Sequence, residues 1–163
     1  LRYAAEHEGP VYIRSNKGKF QTFTTKGEKF VPGKAVVLNE GTDIGLITSG
    51  ITTNEGIKAV EELESRGIHV YHMHMPSIKP IDREAIVDMA KKTGMIITVE
   101  NHTIYGGLGS AVAEVLCEEY PARLVRLGFQ DHFGETAKLN YMMHKYGIDK
   151  DAIIAKITDI VEK

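Results

Sequence analysis

A chain of 163 residues with 42% apolar and 26% charged residues has the composition of about one globular domain. Its formal net charge of −2 and pI of about 6.4 argue against a nucleic-acid or acidic-membrane partner. No apolar run approaches the roughly 20 residues of a membrane-spanning helix, the start LRYAAEHEGP lacks a leader pattern, and one cysteine, Cys117, excludes an internal disulfide framework and suits a reducing, cytoplasmic compartment.

Residues 1–8 read as the last turns of a helix, broken by Gly9-Pro10, and Val11-Tyr12-Ile13-Arg14 reads as a strand. A helix and a strand with nothing before them have no surface on which to bury a face, so the chain is expected to be the C-terminal part of a longer protein. Residues 15–33, SNKGKFQTFTTKGEKFVPG, are polar and without a sustained period, and read as a linker with a short extended piece from Phe20 to Phe23. The regular pattern begins at Lys34. Ala35-Val36-Val37-Leu38 and Ile44-Gly45-Leu46-Ile47-Thr48 read as two strands. The four-residue connection Glu40-Gly41-Thr42-Asp43 suits a hairpin, so the two are expected to pair antiparallel.

A helix is predicted from about Thr52 to Arg66, with Ile57, Val60 and Leu63 on one face and Gly67 as its stop. A strand from Ile68 to Met73 or His74 follows. The next helix takes Asp82 as N-cap, buries Ile86, Met89 and Ala90, and ends at Gly94. Met95 to Val99 reads as a strand, Glu100-Asn101-His102 as a polar loop, and Gly106-Gly107-Leu108-Gly109-Ser110 as a glycine turn. The helix after that turn buries Leu108, Val112, Val115 and Leu116, with Cys117 expected as inert packing on its apolar side. A strand at Arg123 to Leu127, a loop through Gly128–Gly134, a helix from about Glu135 to Tyr146, and a last helix capped by Asp149 complete the chain. Strands alternating with helices imply an α/β fold: a three-layer α/β/α sandwich on a five-stranded, mostly parallel mixed sheet with one antiparallel edge strand.

In such a sheet, ligands bind beyond the carboxyl ends of the parallel strands. Three sets of residues there are candidates. The first is a metal or acid/base cluster from His72, His74, Glu100, His102, Asp131 and His132. Its spacing matches no strong zinc signature, and the alternative is hydrogen bonding across loops or at a subunit contact. The second is Gly107-x-Gly109 before a helix, which suits a phosphate on backbone N–H groups. The third glycine of the dinucleotide fingerprint is replaced by Val112, and the alternative is close helix–sheet packing. The third candidate is Arg14, followed by Ser15, Asn16 and Lys17, which suits bidentate phosphate binding or is a solvated surface arginine. No nucleophile elbow, P-loop or CxxC is present.

Four stretches together carry a resemblance: GKAVVLNEGTDIGLITSG, MPSIKPID, TVENHTIYGGLGSAVAEVL, and LGFQDHFGETA followed by KYGIDKDAIIAKI. In this order they resemble the C-terminal portion of transketolase, in particular the separately encoded C-terminal section of split transketolases. The resemblance covers residues 9–163. Deoxyxylulose-phosphate synthases and the β subunits of 2-oxoacid dehydrogenases share the domain order, while Phe133-Gly134-Glu135 is transketolase-like.

The resemblance implies an enzyme that uses thiamine diphosphate and Mg2+ to move a two-carbon ketol unit between sugar phosphates. It implies that residues 1–14 end a pyrimidine-binding domain, 15–33 link, and 34–163 form the C-terminal domain. The partner is then the N-terminal, diphosphate- and pyrimidine-binding portion or subunit, and the complete unit is expected to be a homodimer. This chain alone is expected to bind no cofactor or metal and to be inactive. Arg14 falls where the family grips the substrate phosphate, although Ile13-Arg14-Ser15-Asn16 replaces the usual Ser-Arg-Gln. Glu100, Asn101, His102, Asp131 and His132 become candidate interface or loop contacts. Two other readings stand beside this one: a 2-oxoacid dehydrogenase β-subunit or synthase fragment, and a non-enzymatic ligand-binding or assembly module.

Overall fold

In a computed structural model describing residues 1–16, 22–24 and 29–162, the sheet is built outward from β2 (Ile44–Thr48), whose five residues are all buried. A strand buried on both faces needs a neighbour along each edge and a helix over each face. Its neighbours are β3 (Val70–His74) and β4 (Met95–Thr103), both parallel to it. β5 (Arg123–Phe129) continues the parallel run beside β4, and β1 (Val36–Asn39) lies antiparallel on the outer side of β3. The order is β1-β3-β2-β4-β5, a five-stranded mixed sheet as expected.

The hairpin expected between β1 and β2 does not form, because β3 lies between them. Four extended residues reach about 13 Å, more than the ~10 Å needed to step over one strand. The turn is pinned at the start of β3: Thr42 and Asp43 N–H both donate to His69 O, at 3.1 and 3.0 Å. Asp43 Oδ2 accepts the His69 N–H at 2.7 Å, and Asn39 Nδ2 donates to Val70 O at 2.8 Å. Burial explains the choice. β3 is buried at four of its five positions, whereas Val37 of β1 is 46% exposed and suits an edge.

The sheet grows from β2 to β3 in one direction, then from β2 to β4 and β5 in the other. Right-handed crossovers therefore put the connecting helices on opposite faces. On one face lie α2 (Thr52–Ser65) and α6 (Lys150–Val161), with Met143 of α5 (Leu139–Lys145), over Ile44, Leu46, Val70, Ile97 and Val99. On the other lie α3 (Arg83–Thr93) and α4 (Leu108–Glu118), over Ile47, Tyr71, Met73 and Ile96. Gly45 faces α3 because a Cβ there would meet Met89 Sδ at 2.6 Å. Helix ends follow local chemistry. Asp82 and Asp149 accept the Ala85 and Ala152 N–H groups at 3.3 and 3.0 Å, and Gly94 closes α3 at φ +68°.

Several expected bounds change. The N-terminal helix is present as α1 (Arg2–Glu6), but residues 11–14 join no strand and Tyr12 is 88% exposed. They have no neighbouring strand among the described residues to satisfy a ladder. Part of the extended piece expected from Phe20 to Phe23 lies outside the described residues. β4 continues through Glu100-Asn101-His102, which are strand rather than loop, because β5 pairs alongside it up to Thr103 opposite Phe129. α5 starts at Leu139, later than Glu135. Cys117 is exposed rather than packed, one step around the helix from the buried Leu116. No helix is long and apolar enough to cross a membrane among the described residues.

Candidate functional site

The crossover direction changes between β2 and β4, and it is beyond the carboxyl ends of the strands at such a point that open α/β sheets take ligands. Period-2 alternation sorts the chemistry-bearing residues around it. His72, His74 and Thr48 point to the α2 face, and Thr98 and Glu100 to the α4 face. Two of the expected cluster's histidines are thus separated from its glutamate by the sheet.

Glu100 is 2% exposed and serves α4. Its Oε2 accepts the Leu108 N–H at 2.7 Å and its Oε1 the Gly109 N–H at 2.9 Å. The N-cap Gly107 supplies no side chain, so the carboxylate of β4 reaches across to take two orphan donors and to meet the positive end of the helix. Burial pushes the Glu100 pKa up, and the two N–H groups oppose that rise. A Cβ on Gly107 would collide with Glu100 Oε2, and one on Gly109 would lie 2.8 Å from Thr98 Oγ1. The glycine turn therefore seats the helix and admits an internal carboxylate. Its leading N–H groups are already taken, so a phosphate has no place on them.

His72, 1% exposed, joins a second arrangement. His72 Nε2 lies 2.9 Å from Thr48 Oγ1, which donates to Thr53 Oγ1 at 3.1 Å. Thr53 Oγ1 lies 2.8 Å from His74 Nδ1. Burial holds the His72 pKa down at about 3, with the neighbouring His74 adding to it, and the His74 pKa at about 4. Both rings are neutral at pH 7. Gly56 of α2 makes room for the His72 ring, since a Cβ there would lie 2.9 Å from Cε1 and Nε2.

The other candidates lie apart. His102 is exposed, with Nδ1 2.9 Å from Thr103 O, and Asn101 is half-buried on β4. Asp131 is exposed at φ +60°. His132 stacks on Tyr146 with ring centroids 4.8 Å apart, and Tyr146 packs on Phe129. Arg14 is exposed on the extended arm, two residues before Asn16. Asn16 Nδ2 comes within 3.5 Å of where Gly50 would carry a Cβ, so the arm passes the carboxyl end of β2. Among the described residues no three His, Cys, Asp or Glu are grouped to hold a metal ion.

Thr48 and Thr53 were not sequence candidates. Their only signal is two threonines flanking the strand-to-helix turn, which is common in ordinary packing. Arg126 was also missed. Its Nη1 donates to Ile104 O at 2.8 Å and its guanidinium lies 5.9 Å from the Tyr105 ring centroid, bracing the turn before α4.

The family described as transketolase, C-terminal domain, matches residues 33–153. This chain belongs to that family. It is 38% identical over 96% of its length to the 6-deoxy-6-sulfo-D-fructose transketolase subunit of Clostridium sp. (strain MSTE9), covering 49% of that protein. It is 36% identical over its full length to the putative transketolase C-terminal section of Methanocaldococcus jannaschii, covering 52% of it. A solved structure described as a split gene transketolase, inactive beta4 tetramer, superposes with a TM-score of 0.93 at 41% identity, over 99% of this chain and 53% of that one. The chain spans about half the length of these relatives.

Proposed function

We propose that this chain is the C-terminal part of a transketolase-type enzyme that transfers a two-carbon ketol unit between sugar phosphates. The observation that carries the reading is the match of residues 33–153 to the transketolase C-terminal domain family in a chain about half the length of its relatives. The N–H groups of Leu108 and Gly109 are consumed by Glu100, and the described residues hold no metal-capable group. Such a donor set does not fit thiamine diphosphate and Mg2+. The cofactor belongs to the N-terminal portion, and this part contributes assembly surface and Arg14.

In this reading residues 1–14 close the pyrimidine-binding domain, 15–33 link, and 34–163 form the C-terminal domain. Arg14, exposed on the arm that reaches the carboxyl edge, grips the substrate phosphate. His102, Asp131 and His132 remain outward-facing and suit contacts with a neighbouring domain or subunit. Asn101, half-buried beside them, belongs to the same surface. The complete unit is a homodimer acting in the cytoplasm on pentose-phosphate-type sugars. The 6-deoxy-6-sulfo-D-fructose named for one relative makes the sugar itself a point to test.

The test is ketol transfer from a ketose phosphate, with thiamine diphosphate and Mg2+, by the chain alone and after addition of the N-terminal portion. Silence alone and turnover on reconstitution are expected. Substantial turnover by the chain alone refutes the reading. Decarboxylation of a 2-oxoacid by the reconstituted enzyme, without ketol transfer, assigns it to the synthase or dehydrogenase branch instead.

A further inference from the structure

The two ends of the sheet differ in what they show to solvent. Among the described residues, no large apolar side chain is exposed in the connections at the amino edge, 40–43, 66–69, 94 and 119–122. At the carboxyl edge Ile78, Tyr105 and Phe133 stand exposed in the connections that follow β3, β4 and β5. Tyr105 is 59% exposed and Phe133 96%, and Leu139 and Tyr141 in the first turn of α5 are exposed beyond them. The connections after β4 and β5 leave the sheet side by side, since Ile104 N–H donates to Phe129 O at 3.1 Å. Apolar side chains gathered in water at one end of a domain mark an interaction surface.

Both aromatic rings stand on braced supports. Ile104 O, one residue before Tyr105, accepts from Arg126 Nη1 at 2.8 Å and from Ser110 Oγ at 3.0 Å. Gly106 N–H, one residue after it, donates to Ser110 Oγ at 2.9 Å. The Arg126 guanidinium also backs the Tyr105 ring. Beyond β5, Asp131 takes the left-handed backbone conformation at φ +60°, uncommon for a residue with a side chain. His132 stacks on Tyr146, with Phe129 6.4 Å away, and Glu135 is tied to Lys145 of α5. Phe133 therefore lies between two tethered residues while its own ring stays in water. Aromatic rings held in place before binding lose little freedom on docking, which is what the anchors of an interface need.

We propose that this face, with Phe133 and Tyr105 as its anchors, is where the N-terminal portion of the enzyme docks on this domain. The arm identifies the occupant. Asn16 Nδ2 comes within 3.5 Å of the Cβ position of Gly50, so residues 11–16 arrive at the carboxyl edge. Residues 1–14 close the pyrimidine-binding domain in the reading above, and the body of that domain then lies over the same edge. The relatives carry about as much chain again as this one, enough to cover it. A second copy of this chain has no such continuity with the arm. The docking face rests on the reading of residues 1–14 as the end of that domain.

The test places a photo-reactive side chain at the most exposed ring, Phe133→p-benzoylphenylalanine, in the assembly with the N-terminal portion. Irradiation is expected to link this position to the N-terminal portion. A link to a second copy of this chain, or to nothing, overturns the proposal. Phe133 and Tyr105 belong to neither hydrophobic core, so Phe133→Ala and Tyr105→Ala leave the fold intact. Each is expected to weaken binding of the N-terminal portion, measured by calorimetry, about tenfold or more. Unchanged affinity in one removes that ring as an anchor, and in both overturns the proposal. Hydrogen exchange should slow at residues 102–106 and 130–141 on assembly and hold its rate at 40–43 and 66–69; slowing at the amino edge alone also overturns it. Assembly through this face without ketol transfer refutes the enzyme reading and leaves the docking face standing. Ketol transfer with both affinities unchanged does the reverse.

Discussion

Replacing Glu100 by alanine removes a carboxylate that satisfies two buried backbone donors, Leu108 N–H at 2.7 Å and Gly109 N–H at 2.9 Å. Each donor left without a partner costs about 1–3 kcal/mol. The burial that raises the Glu100 pKa means the charge carries a desolvation cost that alanine relieves, so the net loss is placed at about 3 kcal/mol. For a domain of this size that is roughly 6–12 °C in Tm. Gly107→Ala should cost nearly the same by a different route. Its Cβ occupies the position of Glu100 Oε2 and expels the carboxylate from the helix end. The two losses are one event, so the double variant should lose about as much as Gly107→Ala alone, about 4 kcal/mol, rather than the additive ~7. The remainder is the crowding of that Cβ against Thr103 O, 3.0 Å away. Urea unfolding followed by circular dichroism on the four proteins measures the cycle. Strict additivity, or a Glu100→Ala loss under about 1 kcal/mol, would refute the assignment of Glu100 as the cap of α4.

The histidine pair predicts acid sensitivity. Folded pKa values of about 3 and 4 lie below the ordinary 6.5, so the unfolded chain takes up protons first as the pH falls. Stability is full above pH 6.5 and declines toward the folded values, by about 2 kcal/mol per histidine at pH 5. Urea midpoints from pH 7.5 to 5 should show the decline, and His72→Gln should remove about half of it; a flat profile contradicts the burial argument. Gly56→Ala pits a helix-propensity gain of about 1 kcal/mol against a Cβ set 2.9 Å from the His72 ring. Because that ring is held on Thr48, the variant should melt lower than the parent, and a higher melting temperature would show the ring free to move. Cys117 is exposed and should react stoichiometrically with a thiol reagent in the native protein, whereas reaction only after unfolding would place it inside.

Local chemistry made much of this protein legible. The 3-4 spacing of apolar residues marked α2, α3, α4 and α6, and Asp82, Gly94 and Asp149 marked helix ends that the structure keeps. The alternation of strand and helix was enough for a mostly parallel sheet, whereas the antiparallel edge, expected from a β1–β2 hairpin, comes instead from β1 pairing with β3. The site was less legible. Glu100 stood out, but as a polar residue after an apolar run it looked like a loop acid. Its role depends on backbone N–H groups eight and nine residues on, brought back by the turn. The histidines stood out too, while Thr48 and Thr53, which hold them, look like ordinary turn residues. Their link spans 24 residues, from Thr48 to His72, and exists only once β2 and β3 are side by side.

Periodicity, caps and turns are written in neighbours along the chain, so the sequence by itself determined the elements and the class of sheet. Which strand lies beside which was decided by tertiary structure. Strand order follows from how much of each face must be buried: β3, buried on both faces, moved inward between β1 and β2, and the half-exposed β1 went to the edge. The opposite faces given to His72 and Glu100, and with them the separation of one apparent cluster into a helix cap and a hydrogen-bonded histidine pair, followed from that pairing and its two-residue alternation.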